Sequence, residues 1–246
     1  GIVYDSDSRK EYAETLGKAR FAVSGSSGFG LIESVLLIDN RYFLFDAHLQ
    51  RLARSARFFA LPFDSRKFKQ AACGLAKQQR RGFFKARFEL LKDGSIAAAA
   101  EKISVRHREP IKAGFAGAFI NSENPLFRHK TNQRVFYKNA AHACKKAGLD
   151  EIVFLNEKNE ICEGHSSNIF ILKRGIFYTP PVSCGLLPGV MRAFAFEAVP
   201  KKFREKILKK GDILSADAVY FCNSVRGFMR ARIINKTIYS EPHLTR

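Results

Sequence analysis

"HKTNQRVFYKNAAHACKKAGLDEIVFLNEKNEICEGHSSNIFILKRGIFYTPPVSCGLLPGVMR", residues 129–192, is the stretch whose reading decides the fold. It predicts a helix over about 131–147, stopped by Gly148, because glycine readily takes the left-handed conformation that ends helices. "EIVFLN" and "NIFIL" read as strands, rich in β-branched and aromatic residues. "CGLLPGVMR" is a Gly-Pro-Gly element leading into a second helix. Helices and strands follow one another within one block, so an α+β chain is expected.

The same block carries candidate chemistry. Lys130 falls at the predicted start of a helix and outside its apolar stripe. Glu163 falls at the end of a hairpin strand, followed by Gly164 and three residues with polar side chains. Gly185 to Gly189 opens a helix, and a helix N-terminus with a glycine turn is a natural anion site. A lysine, a carboxylate and an anion cradle together suit pyridoxal 5'-phosphate. The lysine would carry the cofactor, the carboxylate would keep its ring nitrogen protonated, and the cradle would take the phosphate. Singly, each has a bland reading. Glu163 fits an edge-strand charge, and "LLPGVMR" fits an ordinary helix start. His129 and His165 fit satisfied surface or core histidines.

Upstream, "LIESVLLID" and "RYFLFD" are joined by Asp39-Asn40, a hairpin signal. Asp46 suits an N-cap, and Leu49, Leu52, Ala56 and Phe59 follow at helical spacing. "SRKFKQAACGLAKQQ" repeats that pattern with Phe68, Ala71 and Leu75, and a second hairpin turns at Asp93-Gly94. Residues 31–106 thus read as a small α+β unit. "REPIKAGFAGAFINSENPLF" (108–127) contains Pro, Gly and Asn and reads as an interdomain connection. The expected organisation is a preceding remnant at 1–23, a smaller α/β domain at 24–115 and a larger mixed β/α domain at 116–246. "VSGSSGFG" (23–30) reads as a linker, residues 1–20 as a strand and a polar helix, and "AVYFC" and "RARII" as late strands.

The chain has 246 residues, 46% of them hydrophobic, enough for one large or two modest domains with a proper core. Its formal net charge is +19, spread along the sequence, which suits anionic partners. Runs such as "PKKFREKILKK" (200–210) also fit solvated faces. A nucleic-acid-binding module is the rival that the charge suggests. It is not expected, because no aromatic-rich RNA motif or helix-turn-helix signature is visible. The five cysteines are scattered without a CxxC pair, so no metal site is expected and a reducing cytosol is. No apolar run reaches membrane-spanning length, and the N-terminus lacks a signal-peptide core. A cytoplasmic protein without a membrane partner is expected.

"HKTNQR" with its following tyrosine, "LDEIVFLNEKNEICEGHSSNIF", "YTPPVSCGLLPGVMR" and the earlier "LFDAHLQRLARSA" together resemble the class IV aminotransferase family, the fold-type IV pyridoxal-phosphate enzymes. The likeness runs from about residue 24 to 246, with the motifs in the family's order. It implies a two-domain fold and a homodimer with its site near the interface. Lys130 matches the lysine that bonds the cofactor, and Glu163 the acid facing the pyridine nitrogen. Arg51 matches the phosphate-binding arginine, although Arg51 and Arg54 also fit the polar face of an amphipathic helix. Leu187 matches the residue packed on the ring, and Val190 and Met191 the helix N-terminus on the phosphate. Ser224 and Val225, in "CNSVRG", match a second phosphate loop, and Asn168 a position of mainly structural use.

The reaction is narrowed by residues 1–20, which resemble the tail of the chorismate-binding synthase family that makes 4-amino-4-deoxychorismate. A fused synthase–lyase is implied, whose lyase part releases 4-aminobenzoate and pyruvate in folate biosynthesis. Lys130 would serve as anchor and then as base. Ser34, in "IESVLL", stands where lyases of this family carry Thr. The substrate's two carboxylates suit the basic chain, with Arg87, Arg106, Arg134, Arg226 and Arg230 as candidate clamps. A class IV aminotransferase acting on branched-chain or D-amino acids is the nearest alternative.

Overall fold

The structure, a computed structural model, describes residues 28–104 and 110–239. The strand and helix expected within residues 1–20, and Arg106, lie outside the described residues.

Strands β1 (Gly30–Ile38), β2 (Arg41–Tyr42), β3 (Phe83–Leu91) and β4 (Ile96–Lys102) form a four-stranded sheet in the order β2-β1-β3-β4. β1 and β3 pair antiparallel along their whole length, from Gly30 opposite Leu91 to Ile38 opposite Phe83. Phe84, Ala86, Phe88 and Leu90 of β3 alternate into the core, as the two-residue period of a half-buried strand requires. Helices α1 (Phe45–Phe58) and α2 (Ser65–Lys77) cover that face with Leu52, Ala56, Phe68 and Leu75. Asp64 caps α2, its carboxylate accepting the Arg66 N–H at 2.8 Å.

Both expected hairpin turns are present. Asp39 and Asn40 take positive φ (45° and 67°), the geometry that matches strand twist in a tight hairpin. The second strand of that hairpin is shorter than expected, because the chain breaks at Leu44 (φ 53°) and enters α1 at once. Leu44, not Asp46, is therefore the N-cap, and Asp46 falls in the first turn, where its charge favours the helix dipole.

A second sheet has eight strands in the order β10-β9-β8-β11-β12-β5-β6-β7. Its members are β5 (Ile111–Ile120), β6 (Glu151–Asn156), β7 (Ile161–Gly164), β8 (Asn168–Lys173), β9 (Ile176–Thr179), β10 (Phe203–Glu205), β11 (Ala218–Asn223) and β12 (Gly227–Tyr239). Residues 111–120, expected as a connection, form β5, parallel to both β6 and β12 and mostly buried. Its glycines and alanines read as loop composition. A strand covered on both faces instead uses small residues where other elements crowd it.

Helix α3 (Val135–Lys146) buries Tyr137, Ala140 and Cys144 against Ile152, Phe154 and Cys162. It starts later than expected, so Lys130 is not its first residue. Residues 130–132 instead run back along β1. The Ile32 N–H donates to the Lys130 carbonyl at 2.7 Å, and the Asn132 N–H to the Gly30 carbonyl at 2.9 Å. Asn132 Oδ1 in turn accepts the Gly30 N–H at 3.0 Å, and Thr131 bridges Leu31. These bonds tie the lysine to the four-stranded sheet. Gly148 (φ 69°) ends α3 as expected. Gly189 opens α4 (Val190–Ala198), whose Ala195 packs with Phe170, Phe203 and Cys222.

Candidate active site

The residues singled out by sequence meet in one place. Lys130, Arg51, Glu163, Leu187, Val190, Met191, Ser224 and Val225 all line a cavity of about 700 Å³ between the two sheets. Ser34, Arg87, Arg134 and Arg226 line it too, whereas Arg230 is exposed on β12 and does not.

Lys130 is part-buried, and withdrawal from water pushes its ammonium down to about 7, with Arg134 and Arg51 pushing the same way. An amine with that value is about half free base at neutral pH, far more than an ordinary lysine, and the free base is the nucleophilic form. Glu163 is buried at the end of β7. Burial pushes it up to about 7, against hydrogen bonds that favour its charge. Tyr137 Oη donates to its Oε1 at 2.6 Å, while Asn168 Nδ2 and the Leu187 N–H donate to Oε2 at 3.3 and 3.2 Å.

Arg51 is held from behind. Its Nε and Nη2 reach Glu33 at 2.9 and 2.6 Å, and Nη1 donates to the Pro188 carbonyl at 3.4 Å. His48 Nδ1 shares the same carboxylate at 2.6 Å. Burial alone would raise Glu33, but Arg51 and His48 outweigh it and hold the acid down to about 2. This buried pair orients the guanidinium and keeps its charge at the cavity wall.

The α4 N-terminus presents the Val190 and Met191 backbone, where helical N–H groups lack intrahelical partners. A Cβ at Gly189 would lie 1.8 Å from Asn168 Oδ1, so only glycine fits this approach. Asn168 Nδ2 also donates to the Leu187 carbonyl at 2.9 Å, fixing the turn into the helix. On the opposite wall, Asn223 Oδ1 accepts the Val225 and Arg226 N–H groups at 3.1 and 2.8 Å and shapes the turn that carries Ser224.

His129 and His165 both have partners, as their bland reading expects. His129 Nδ1 meets Ser55 Oγ at 2.9 Å and its ring lies 4.3 Å from that of Phe58, while His165 pairs with buried Glu151. Sequence reasoning missed Glu33 and His48, and gave Tyr137, the tyrosine that follows "HKTNQR", no role. Two signals were present for the missed pair: a carboxylate in a largely apolar strand, and a His and an Arg three residues apart on one helix face.

A family model described as Amino-transferase class IV matches residues 30–234. The chain belongs to the class IV aminotransferase family. Its α+β architecture is the fold-type IV arrangement of this family's solved structures. A branched-chain aminotransferase from Thermoproteus uzoniensis, solved with norvaline, superposes with a TM-score of 0.76 at 20% identity, over 87% of this chain and 81% of that one. A hypothetical aminotransferase from Mycobacterium tuberculosis in its PLP-bound form gives 0.77 at 20% identity, over 90% and 86%. By sequence, the chain is 27% identical to the aminodeoxychorismate lyase of Bacillus subtilis over 222 residues, 80% of this chain and 75% of the relative. Among the described residues of this class IV aminotransferase family member, no helix is long and apolar enough to cross a membrane.

Proposed function

We propose that this class IV family member is a pyridoxal-phosphate-dependent lyase that converts 4-amino-4-deoxychorismate into 4-aminobenzoate and pyruvate. One observation carries the reading: Lys130, with its amine brought down to about 7, shares a cavity with buried Glu163, and Arg51 is anchored in the same wall.

The residues present fit the cofactor. Lys130 would bond its carbonyl carbon, Glu163 would face its ring nitrogen, and Leu187 would pack on the ring. Arg51, the α4 N-terminus and Ser224 with Val225 would hold its phosphate. When bound, the cofactor supplies an electron sink for a carbanion next to the substrate nitrogen. Lys130 Nζ would be the base placed to take the ring proton beside that nitrogen. Glu163 would hold a proton on the cofactor nitrogen it faces. The Lys130 ammonium would then return a proton to the enolpyruvate leaving group as its C–O bond breaks, which leaves the six-membered ring aromatic. Arg87, Arg134 and Arg226 give the wall cations for two substrate carboxylates.

The lyase assignment is supported by the length of the likeness to the Bacillus subtilis lyase and by the synthase-like residues 1–20. On this reading the chain is the lyase part of a fused synthase–lyase, acts in the cytoplasm and works as a homodimer. A class IV aminotransferase acting on branched-chain or D-amino acids is the second reading. It is favoured by Ser34 lining the cavity where lyases carry Thr, and by 26% identity over 94 residues to the branched-chain aminotransferase of Escherichia coli.

Borohydride reduction of the pyridoxal-phosphate complex, followed by peptide mapping, should label Lys130. The labelled site established, 4-amino-4-deoxychorismate should yield equal amounts of 4-aminobenzoate and pyruvate. Amino-group transfer to a 2-oxo acid without 4-aminobenzoate would instead establish the aminotransferase.

A further inference from the structure

Tyr137 lies in the first turn of α3 with its ring buried and its hydroxyl on Glu163 Oε1 at 2.6 Å. The guanidinium of Arg134 sits 4.1 Å from the centroid of that ring. Glu163 Oε2 has two weaker donors, Asn168 Nδ2 and the Leu187 N–H, at 3.3 and 3.2 Å. Tyr137 is thus the shortest contact that the carboxylate makes. The titratable and charged groups facing Glu163 are Tyr137 from α3, Arg134 at its N-cap, Lys130 from the preceding segment and the Cys162 thiol from its own strand.

We propose that Tyr137, with Arg134 above its ring, is a positioning residue that holds Glu163 as an oriented carboxylate and thereby sets the protonation of the cofactor nitrogen it faces. This rests on the cofactor reading above and deepens it.

The physical case begins with burial. A carboxyl withdrawn from water prefers to be neutral, and Glu163 is pushed up to about 7 for that reason. A neutral acid cannot hold a proton on a neighbouring pyridine nitrogen. Tyr137 opposes the drift by donating to the charged form. Its own hydroxyl is driven well above its ordinary value by burial and by the Glu163 charge, so it remains a donor throughout. The cation over the ring draws electron density from the phenol, which strengthens the donated bond. Without the hydroxyl, Oε1 has no other hydrogen bond among the described residues. The proton shared between acid and ring should then move to Glu163.

The test uses the full chain loaded with pyridoxal phosphate carrying 15N at the ring nitrogen. The 15N chemical shift is followed from pH 5.5 to 9 in wild type, Tyr137→Phe, Arg134→Gln and Glu163→Gln. Phe keeps the ring, its packing and the face presented to Arg134. Wild type should hold the protonated position over most of this range. In Tyr137→Phe the midpoint should fall by about one pH unit or more, a roughly tenfold change in proton affinity. Arg134→Gln should move the same way by less, and it leaves the α3 core untouched. A Tyr137→Phe titration that superposes on wild type, while Glu163→Gln loses the protonated signal, would reduce Tyr137 to packing and overturn the proposal. If wild type binds no labelled cofactor, or Glu163→Gln behaves as wild type, the cofactor reading itself fails and this proposal with it.

Discussion

Arg51 grips Glu33 through two nitrogens, Nε at 2.9 Å and Nη2 at 2.6 Å, and both side chains are buried behind the cavity wall. The acid belongs to β1 and the base to α1, so the pair aims the guanidinium and joins helix to sheet. Glu33→Gln keeps an acceptor and removes the charge. It should cost about 2–3 kcal/mol in urea unfolding, the scale of a charged hydrogen bond lost in the interior. Affinity for pyridoxal phosphate should fall about tenfold, since roughly 1.4 kcal/mol of misdirected arginine suffices.

The lowered ammonium of Lys130 has a sign that can be measured. The unfolded chain holds that proton up to about 10.5, whereas the folded chain releases it near 7. Between those values the unfolded state binds more protons, so this group makes the cofactor-free protein more stable as pH rises from 7. Lys130→Met should therefore raise apoprotein stability at pH 7, by about 1 kcal/mol or more, while abolishing covalent capture of the cofactor. Trapping at Lys130 should rise through pH 7, well below the range of surface lysines. A variant no more stable than wild type would count against the lowered Lys130 amine.

Gly189→Ala tests the cradle by steric means alone. Its φ is −69°, so alanine meets no backbone strain, yet its Cβ would fall 1.8 Å from Asn168 Oδ1. Asn168 would have to leave Leu187 and Glu163 together. Cofactor affinity should fall by about tenfold or more, the equivalent of one good polar contact to a charged group. Gly211→Ala, where a Cβ meets nothing within 4 Å, should bind the cofactor as wild type. Equal affinities in the two variants would exclude the close approach as the reason for Gly189.

Acid should unfold the protein in two overlapping steps. His129 is kept neutral by burial and by Arg128, down to about 4 from an ordinary 6.5, so its stabilisation is full above 6.5 and lost as pH falls toward 4. Burial shifts His48 in the same direction. Glu33, held at about 2 against an ordinary 4.5, contributes above 4.5 and is lost as pH falls toward 2. His129→Gln should flatten the stability curve between pH 6.5 and 4 and leave the lower step unchanged. Chemical unfolding at half-unit pH intervals would show an unaltered upper slope if His129 is not buried neutral.

The local patterns that read correctly are those decided by near neighbours. The Asp39-Asn40 and Asp93-Gly94 turns, the apolar stripes of α1 and α2 and the Gly148 stop all depend on residues within a few positions of each other. Lys130 and Glu163 stand out in the sequence as candidates because of their residue types and the surrounding motifs, and the fold places both on one cavity. Leu44 displaced Asp46 as the α1 cap because the hairpin and helix had to meet in fewer residues than propensity suggests.

What the amino-acid sequence determined by itself is the set of turns, the amphipathic helices, most strands and the identity of the candidate site residues. Only the tertiary structure decided that residues 111–120 enter the larger sheet, because parallel pairing to β6 and β12 outweighs the loop-like composition of Gly114 and Gly117. Only it brought residues 130–132 onto β1, about a hundred positions earlier in the chain. The partnerships of Glu33 with Arg51, Tyr137 with Glu163 and Asn168 with the Leu187 carbonyl belong to the same class. Each depends on withdrawing polar groups from water until they must satisfy one another, and burial of that kind is a property of the assembled sheets rather than of any window of sequence.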